Sequence, residues 1–180
     1  SNIAAYLASV ARIGVPSGTM VTLGMLHDIA KTIMLKSLPQ PEGGFTLDPR
    51  QRLRQEVELY GIDHATLGGI LARRWGMPTK LITCIEKHHW PMFWPLREIG
   101  QVCPDTIKEL VILSISDIAA RNFTQEITGP YIGDDYYRFI KKQPKIEGIL
   151  IPEITKDLKR IHRVMLDDIH EGEETFGMAT

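Results

Sequence analysis

Histidine and aspartate side chains interrupt otherwise apolar helical segments at four places in the sequence. These residues are His27 and Asp28, His64, His88 and His89, and Asp117. Asp117 is the most informative of them, because it lies within the apolar run Leu-Val-Ile-Leu-Ser-Ile-Ser-Asp-Ile-Ala-Ala. A buried carboxylate costs several kcal/mol unless a cation or hydrogen-bond donors compensate it. We therefore expect Asp117 to be at least partly buried and to face such a group.

Each position also has an ordinary structural explanation when it is considered alone. Asp117 can form a salt bridge or cap a neighbouring helix, and His27 can be a hydrogen-bonded core histidine. His88 and His89, near a helix C-terminus, can donate to its last carbonyl groups. His64 follows a good N-cap residue and is unremarkable by itself. No single position indicates a metal site.

Considered together, these six residues predict a metal site. Four of the six histidines and two carboxylates lie at the ends or in the apolar faces of successive helices, which suits convergence on one pocket of a bundle. Neutral imidazoles and carboxylates form a mixed nitrogen and oxygen set that favours Fe, Mn, Co, Ni or Zn over Ca. Six such groups are enough for one or two divalent ions, and a pair bridged by one carboxylate suits phosphoryl transfer.

The elements that must position these residues are all helical. Apolar residues recur with helical spacing along the chain, and Gly and Pro mark the breaks. The predicted helices run over about 3–14, 17–38, 50–60, 63–75, 79–89 and 105–118, followed by 134–141, 153–169 and an acidic tail. Asp105 or Thr106 is the expected N-cap of the long apolar helix, and Trp75, Met77 and Pro78 are expected to be core and turn residues. No segment indicates a strand, so the predicted fold class is all-α.

Composition predicts a single soluble domain. The chain has 180 residues, 43% hydrophobic and 24% charged, and its 21 Lys and Arg nearly balance 22 Asp and Glu. That balance argues against a broad nucleic-acid-binding surface. No apolar run approaches the roughly 20 residues that span a bilayer, so we expect a cytoplasmic protein without membrane contact. Cys84 and Cys103 are too few for a disulfide framework and are expected to be reduced thiols.

Four segments together resemble the HD superfamily of metal-dependent phosphohydrolases. They are Gly24-Met-Leu-His-Asp-Ile-Ala-Lys31, the stretch from Tyr60-Gly-Ile-Asp-His to Trp75-Gly-Met-Pro78, Ile85-Glu-Lys-His-His89, and Leu113-Ser-Ile-Ser-Asp-Ile-Ala-Ala120. The Gly-Ile-Asp-His and Trp-Gly-Met-Pro elements are most similar to HDOD signalling domains, which are of bacterial type. The resemblance covers roughly the first 120 residues. It implies an HD-domain-like multi-helix bundle with a metal-type site between helices.

The resemblance also implies a role for each residue. The matches to the core HD ligands are His27, Asp28 and Asp117, and the matches to the additional ligands of two-metal HD-GYP relatives are His64, His88 and His89. Asp28 would bridge the two ions. Lys31 matches a lysine beside the scissile phosphate, so Asp28 and Lys31 would be the catalytic residues. The alternative for Lys31 is a surface lysine one turn beyond Asp28.

Three departures from the family pattern limit these roles. The first family histidine would lie at or before residue 1, and Ala30 replaces the Gly of the His-Asp-x-Gly-Lys element. The segment Trp90-Pro-Met-Phe-Trp-Pro95 replaces the Gly-Tyr-Pro of cyclic-di-GMP phosphodiesterases, which argues against that substrate. We expect residues 1–180 to form a single HD/HDOD-like domain that lacks its N-terminal helices, with 171–180 as a flexible tail.

Two functions remain open at this point. The first is an HDOD-type regulatory domain that acts through protein partners, is stabilised by metal, and has weak or no hydrolysis. Its contact residues would be Trp90, Met92, Phe93 and Trp94, which can instead simply cover the core. The second is an active phosphohydrolase acting on a nucleotide or cyclic dinucleotide, in which the six ligands hold the metals and Lys31 stabilises charge.

Overall fold

The computed structural model describes residues 2–11, 14–46, 48–100 and 102–125, together with 133, 135, 136 and 138. Its α-helices in chain order are α1 (Asn2–Ala11), α2 (Ser17–Leu26), α3 (Ile29–Ser37), α4 (Pro49–Tyr60), α5 (His64–Arg74), α6 (Thr79–Lys87), α7 (Trp90–Phe93) and α8 (Pro104–Gln125). A 3₁₀ helix covers Leu96–Ile99, and these ranges contain no strand. The all-α class is therefore confirmed for the described residues.

Two expectations fall largely outside these residues. The helices predicted at 134–141 and 153–169 and the tail at 171–180 lie beyond the described residues, apart from 135, 136 and 138. Among the residues that the structure does describe, no helix combines the length and the apolar character needed to cross a membrane.

The helices pack as a multi-helix bundle around one apolar core. Helix α1 lies against α2 and α8, α5 lies against α3 and α6, and α6 lies against α8. Fully buried core residues include Met20 and Leu23 of α2, Ile85 of α6, and Leu110 and Leu113 of α8. Since α6 and α8 both contribute to this core, the end of α6 and the middle of α8 are held next to each other.

Helical geometry is interrupted at His27 and Asp28, between α2 and α3. The sequence predicts one continuous helix over 17–38, and that prediction is wrong. Asp28 has φ −102° and ψ 12°, which lies outside the helical region. The Leu23 carbonyl accepts from the His27 N–H, and the Asp28 carbonyl accepts from the Thr32 N–H, so α3 begins directly after α2 ends. No Gly or Pro marks the position, and helical spacing alone does not reveal it.

The buried face of α5 consists of small residues and a histidine. These are His64, Ala65, Gly68, Gly69 and Ala72. A Cβ atom on Gly69 would lie 2.9 Å from the Cβ of Glu86, so the absence of a side chain lets α5 and α6 approach closely. Ile70 of α5 and Trp75, directly after the helix, are exposed, at 46% and 53%. The expectation that Trp75 belongs to the core is therefore wrong.

The entry to α5 follows the predicted turn chemistry. Gly61 ends α4 with φ 74°, a left-handed conformation that favours glycine. Asp63 then caps α5, since its side chain accepts from the backbone N–H and the hydroxyl of Thr66. Asp63 thereby fixes His64 at the first position of the helix.

Two further helix boundaries differ from the sequence prediction. Helix α6 ends at Lys87 rather than His89, and the His88-His89 turn leads into the short α7. Helix α8 begins at Pro104, whose missing N–H costs nothing in a first turn, so Asp105 lies inside the helix instead of capping it.

The two cysteines provide a test of the α6–α8 packing. Both are free thiols, Cys84 buried and Cys103 exposed, and Cys84 Sγ lies 3.9 Å from the Thr106 carbonyl of α8. Burial, with a smaller contribution from Glu109, raises the pKa of Cys84 to about 12. Only about one Cys84 in ten thousand would then be thiolate at a pH of about 8.

We expect one fast-reacting thiol per native chain with an aromatic disulfide reagent, and two after denaturation. Cys103→Ser should abolish the fast reaction, whereas Cys84→Ser should leave it intact. Equal reaction rates of the two thiols in the native protein would contradict the packing of α6 against α8.

Candidate metal centre

The structure brings all six histidine and aspartate residues selected from the sequence into one cluster. The first ligand group is Asp28, His64, His88 and His89, and the second ligand group is His27, Asp28 and Asp117. Within each group, one candidate ligand atom per residue lies within 4.8 Å of all the others. The groups share Asp28, so together they form one continuous site.

The six residues reach the cluster from four places in the fold. His27 and Asp28 form the break between α2 and α3, and His64 is the first residue of α5. His88 and His89 form the turn after α6, and Asp117 lies within α8. Asp117 has a side chain only 9% exposed and faces His27, as its apolar surroundings in the sequence predict.

The two carboxylate oxygens of Asp28 face different groups. Oδ1 lies 3.3 Å from His64 Nε2 and 3.5 Å from His88 Nε2. Oδ2 lies 3.7 Å from His27 Nε2 and 2.6 Å from the Lys31 ammonium. Each ligand group thus receives one oxygen, which is the arrangement that a bridging carboxylate requires.

Hydrogen bonds outside the cluster fix the orientation of three imidazole rings. His27 Nδ1 lies 3.2 Å from the Leu23 carbonyl, and His88 Nδ1 lies 2.7 Å from the Ile85 carbonyl. His64 Nδ1 lies 2.6 Å from Glu56 Oε2. Carbonyl oxygens only accept, as does an ionised carboxylate, so each Nδ1 carries a proton. In the neutral ring, each Nε2 therefore presents a lone pair to the cluster.

His88 and Asp28 contribute the clearest pair of facing acceptor atoms in the cluster. His88 Nε2 and Asp28 Oδ1 are both buried and take part in no hydrogen bond among the described residues, although 3.5 Å separates them. Burial lowers the pKa of His88 and thus favours the neutral ring. Two acceptor atoms face each other in a buried space, and a cation between them would satisfy both.

The charge of Asp28 is maintained by its neighbours. Burial by itself would raise its pKa, but the nearby imidazole of His64 and the ammonium of Lys31 contribute to holding that pKa well below its usual range. Asp28 is therefore ionised at neutral pH and available as a ligand. The resemblance gives Lys31 a catalytic role at a phosphate, and that role remains a prediction.

His27 is the histidine that most favours a proton. Burial opposes its charge, but its hydrogen bond with Asp117 and the charges of both aspartates outweigh this effect and raise its pKa. Its Nε2 lies 3.9 Å from Asp117 Oδ1. A proton on His27 can accordingly satisfy acceptors of the second ligand group.

Glu56 is a part of the site that the sequence prediction missed. Its side chain is 1% exposed, and Oε2 accepts from both the backbone N–H and the Nδ1–H of His64, at 2.9 and 2.6 Å. Arg52 donates to the other oxygen at 2.8 Å. Burial would raise the pKa of Glu56, yet the hydrogen bonds that it accepts from His64 and Arg52 lower it to about 2. Nothing in the charged α4 sequence distinguishes Glu56 from the exposed Glu58.

Ser114 of α8 fixes the turn that carries His88 and His89. Its hydroxyl lies 2.6 Å from the His88 carbonyl and donates to it, with the Leu110 carbonyl at 2.9 Å. This bond joins the end of α6 to α8 at the level of the cluster. A serine in an apolar helix gives no sequence signal for such a role, since serine commonly donates to its own helix backbone.

The chain matches a known domain family. The family model for the HDOD domain matches residues 1–91, which is just over half of the chain and includes five of the six cluster residues. Asp117 lies beyond the matched range. No curated protein and no solved structure matches the chain.

Replacement of Glu56 should remove the hydrogen bonds that orient the His64 ring. In Glu56→Ala, the Nδ1–H and backbone N–H of His64 lose their buried acceptor, so the free energy of unfolding should fall by about 1–3 kcal/mol in a urea titration. The loss of a carboxylate that orients a ligating histidine typically weakens metal binding about 10- to 100-fold. Zn²⁺ affinity measured by calorimetry should fall within that range.

Glu58→Ala is the matched control, since Glu58 lies on the same helix and is exposed. It should change neither quantity appreciably. Equal effects of the two substitutions would contradict the role of Glu56 in orienting His64.

Proposed function

The chain belongs to the HDOD domain family, whose members are regulatory domains of the HD superfamily, and we propose that it is a signalling domain that binds a divalent transition-metal ion in its first ligand group. The ligands would be Asp28, His64, His88 and His89. The role of the ion is to hold the ends of α5 and α6 and the break before α3 in one arrangement.

The observation that carries this proposal is the pair formed by His88 Nε2 and Asp28 Oδ1. Both atoms are buried acceptors that make no hydrogen bond within the described residues. The burial of two unsatisfied acceptors is costly, and a bound cation removes that cost for both. Three imidazoles and one carboxylate are a set that suits Fe, Mn, Co, Ni or Zn, and it lacks the many oxygen ligands that Ca requires.

Signalling by this domain would proceed through contacts with protein partners. In the segment after the metal centre, Trp94 is 54% exposed, while Trp90, Met92 and Phe93 are half-buried. Lys87 covers the face of Trp90 at 3.5 Å, and Arg50 lies over Phe93 at 4.9 Å. Trp94 is thus the aromatic side chain of this segment that offers most surface to a partner, and the others support it.

The second candidate function is hydrolysis of a phosphodiester in a nucleotide or cyclic dinucleotide. The observation that favours it is the division of Asp28 between the two ligand groups, one oxygen to each. Two ions in such a site would supply charge stabilisation to the attacking and leaving oxygens of a phosphoryl transfer. Lys31 would then neutralise charge at the phosphate. The HD-GYP-like ligand spacing remains a resemblance that supports this candidate.

Metal analysis tests the first proposal. The protein loaded with Zn²⁺ and dialysed should retain at least one equivalent, whereas Asp28→Asn should retain less than a tenth of an equivalent, because the substitution removes the only carboxylate of the first ligand group. Plasma mass spectrometry of both samples gives the measurement. Asp105→Asn is the control, since Asp105 is exposed and pairs with Lys108 at the surface.

A wild-type protein without retained metal, or an Asp28→Asn protein with the full amount, would contradict metal binding by this group. Turnover of a phosphodiester panel separates the two candidate functions. The regulatory domain should not exceed the rate of Asp28→Asn, while a hydrolase should exceed it by orders of magnitude.

A further inference from the structure

A cation that belongs to the chain itself, the ammonium of Lys31, contacts the second ligand group. Lys31 lies one helical turn after Asp28, and its ammonium is 2.6 Å from Asp28 Oδ2. Its side chain is only 18% exposed, so the ammonium is directed into the site rather than into solvent. Charge-assisted hydrogen bonds of this length are among the stronger contacts available to a carboxylate.

The position of this contact determines what else Asp28 can bind. Oδ1 faces the histidines of the first ligand group, while Oδ2 faces His27 and is the oxygen that Lys31 occupies. A metal ion of the second ligand group would need this same Oδ2, because Oδ1 belongs to the other group. It would therefore have to share the oxygen with an ammonium of like charge or displace it.

The charges of the cluster favour one ion over two. Asp28 and Asp117 supply two negative charges, and the nearby Glu56 is already balanced by Arg52 at 2.8 Å. One dication together with Lys31 slightly exceeds this negative charge, whereas two dications with Lys31 exceed it greatly. In a largely buried site, such an excess of positive charge has a large free-energy cost.

The number of available ligands also favours a metal ion in the first ligand group over one in the second. The first group offers three histidines and one carboxylate, while the second offers His27, Asp117 and a carboxylate oxygen that is already engaged.

We propose that this domain holds a single metal ion, in the first ligand group, and that Lys31 takes the place of a second ion in the second ligand group. This inference rests on the proposed metal binding and deepens it. A site with one ion and one ammonium lacks the paired-ion clamp of phosphodiester hydrolysis, so the arrangement suits a structural or signalling metal.

The stoichiometry of Zn²⁺ binding tests the inference. Calorimetric titration and plasma mass spectrometry after dialysis should give one ion per wild-type chain. Lys31→Met retains the length and packing of the side chain but removes the charge, and it should bind two ions, the second more weakly. Lys36→Met, an exposed lysine in the last turn of the same helix, should still bind one.

A double variant assigns the second ion to a location. Lys31→Met combined with Asp117→Asn should return to one ion, because Asp117 belongs to the second ligand group alone. Circular dichroism and a thermal melt verify that each variant is folded. If Lys31→Met does not fold, Lys31→Gln provides the same test with a polar side chain.

The outcomes separate this inference from the proposed function. Two ions in the wild type would leave metal binding intact and overturn the role of Lys31. One ion in both the wild type and Lys31→Met would overturn it as well, since the lysine would not be what excludes the second ion. A wild type that binds no ion would contradict the metal-binding function itself, and the inference with it.

Discussion

The structure depends on a set of acceptor atoms that are directed at one another in a nearly buried space. Three imidazoles are oriented by hydrogen bonds at Nδ1, to the carbonyls of Leu23 and Ile85 and to Glu56, so that Nε2 of each points toward the carboxylate of Asp28. His89 Nε2 lies 3.0 Å from His64 Nε2, within hydrogen-bond distance of that one acceptor. The remaining acceptors are costly to bury without positive charge. Lys31 supplies part of that charge at one oxygen of Asp28, and the other oxygen faces neutral His88. The rest of the fold can be understood as the framework that keeps these atoms together.

Between α5 and α6, that framework relies on close approach of the helices rather than on large apolar side chains. Helix α5 meets α6 through Gly68 and Gly69, and the Cβ positions of both would be within about 3 Å of atoms on α6. The short distance between the helices brings the first residue of α5 next to the turn after α6. A break in the chain before α3 then directs His27 and Asp28 into the same space. Small residues and a local departure from helical geometry thus position the site.

The sequence predicts the content of the site better than its geometry. Polar residues in apolar segments are conspicuous, so His27, His64, His88 and Asp117 could be selected from pattern alone, and the turn at Gly61 and the cap at Asp63 follow from well-understood local rules. The break at Asp28 could not be predicted, because no Gly or Pro marks it and the helical spacing of apolar residues continues across it. The sequence favours a core or turn position for Trp75, which is instead exposed, and the face that α5 buries consists of small residues and His64. Glu56 and Ser114 were missed for a similar reason, since their roles arise from neighbours distant in sequence.

The contact between Ser114 and the His88 carbonyl has a consequence for folding. It joins residues 26 positions apart, and the cluster as a whole extends from α2 to α8, so its members meet only when helices distant in the chain have docked. Loop closure over such separations is slow and must precede any gain from the contacts. The complete cluster therefore cannot form in a partly folded chain. An ion in the first ligand group recognises the arrangement in which the break before α3, the start of α5 and the turn after α6 have come together. Through mass action, occupancy of the centre would make the stability of the whole bundle depend on the concentration of free metal.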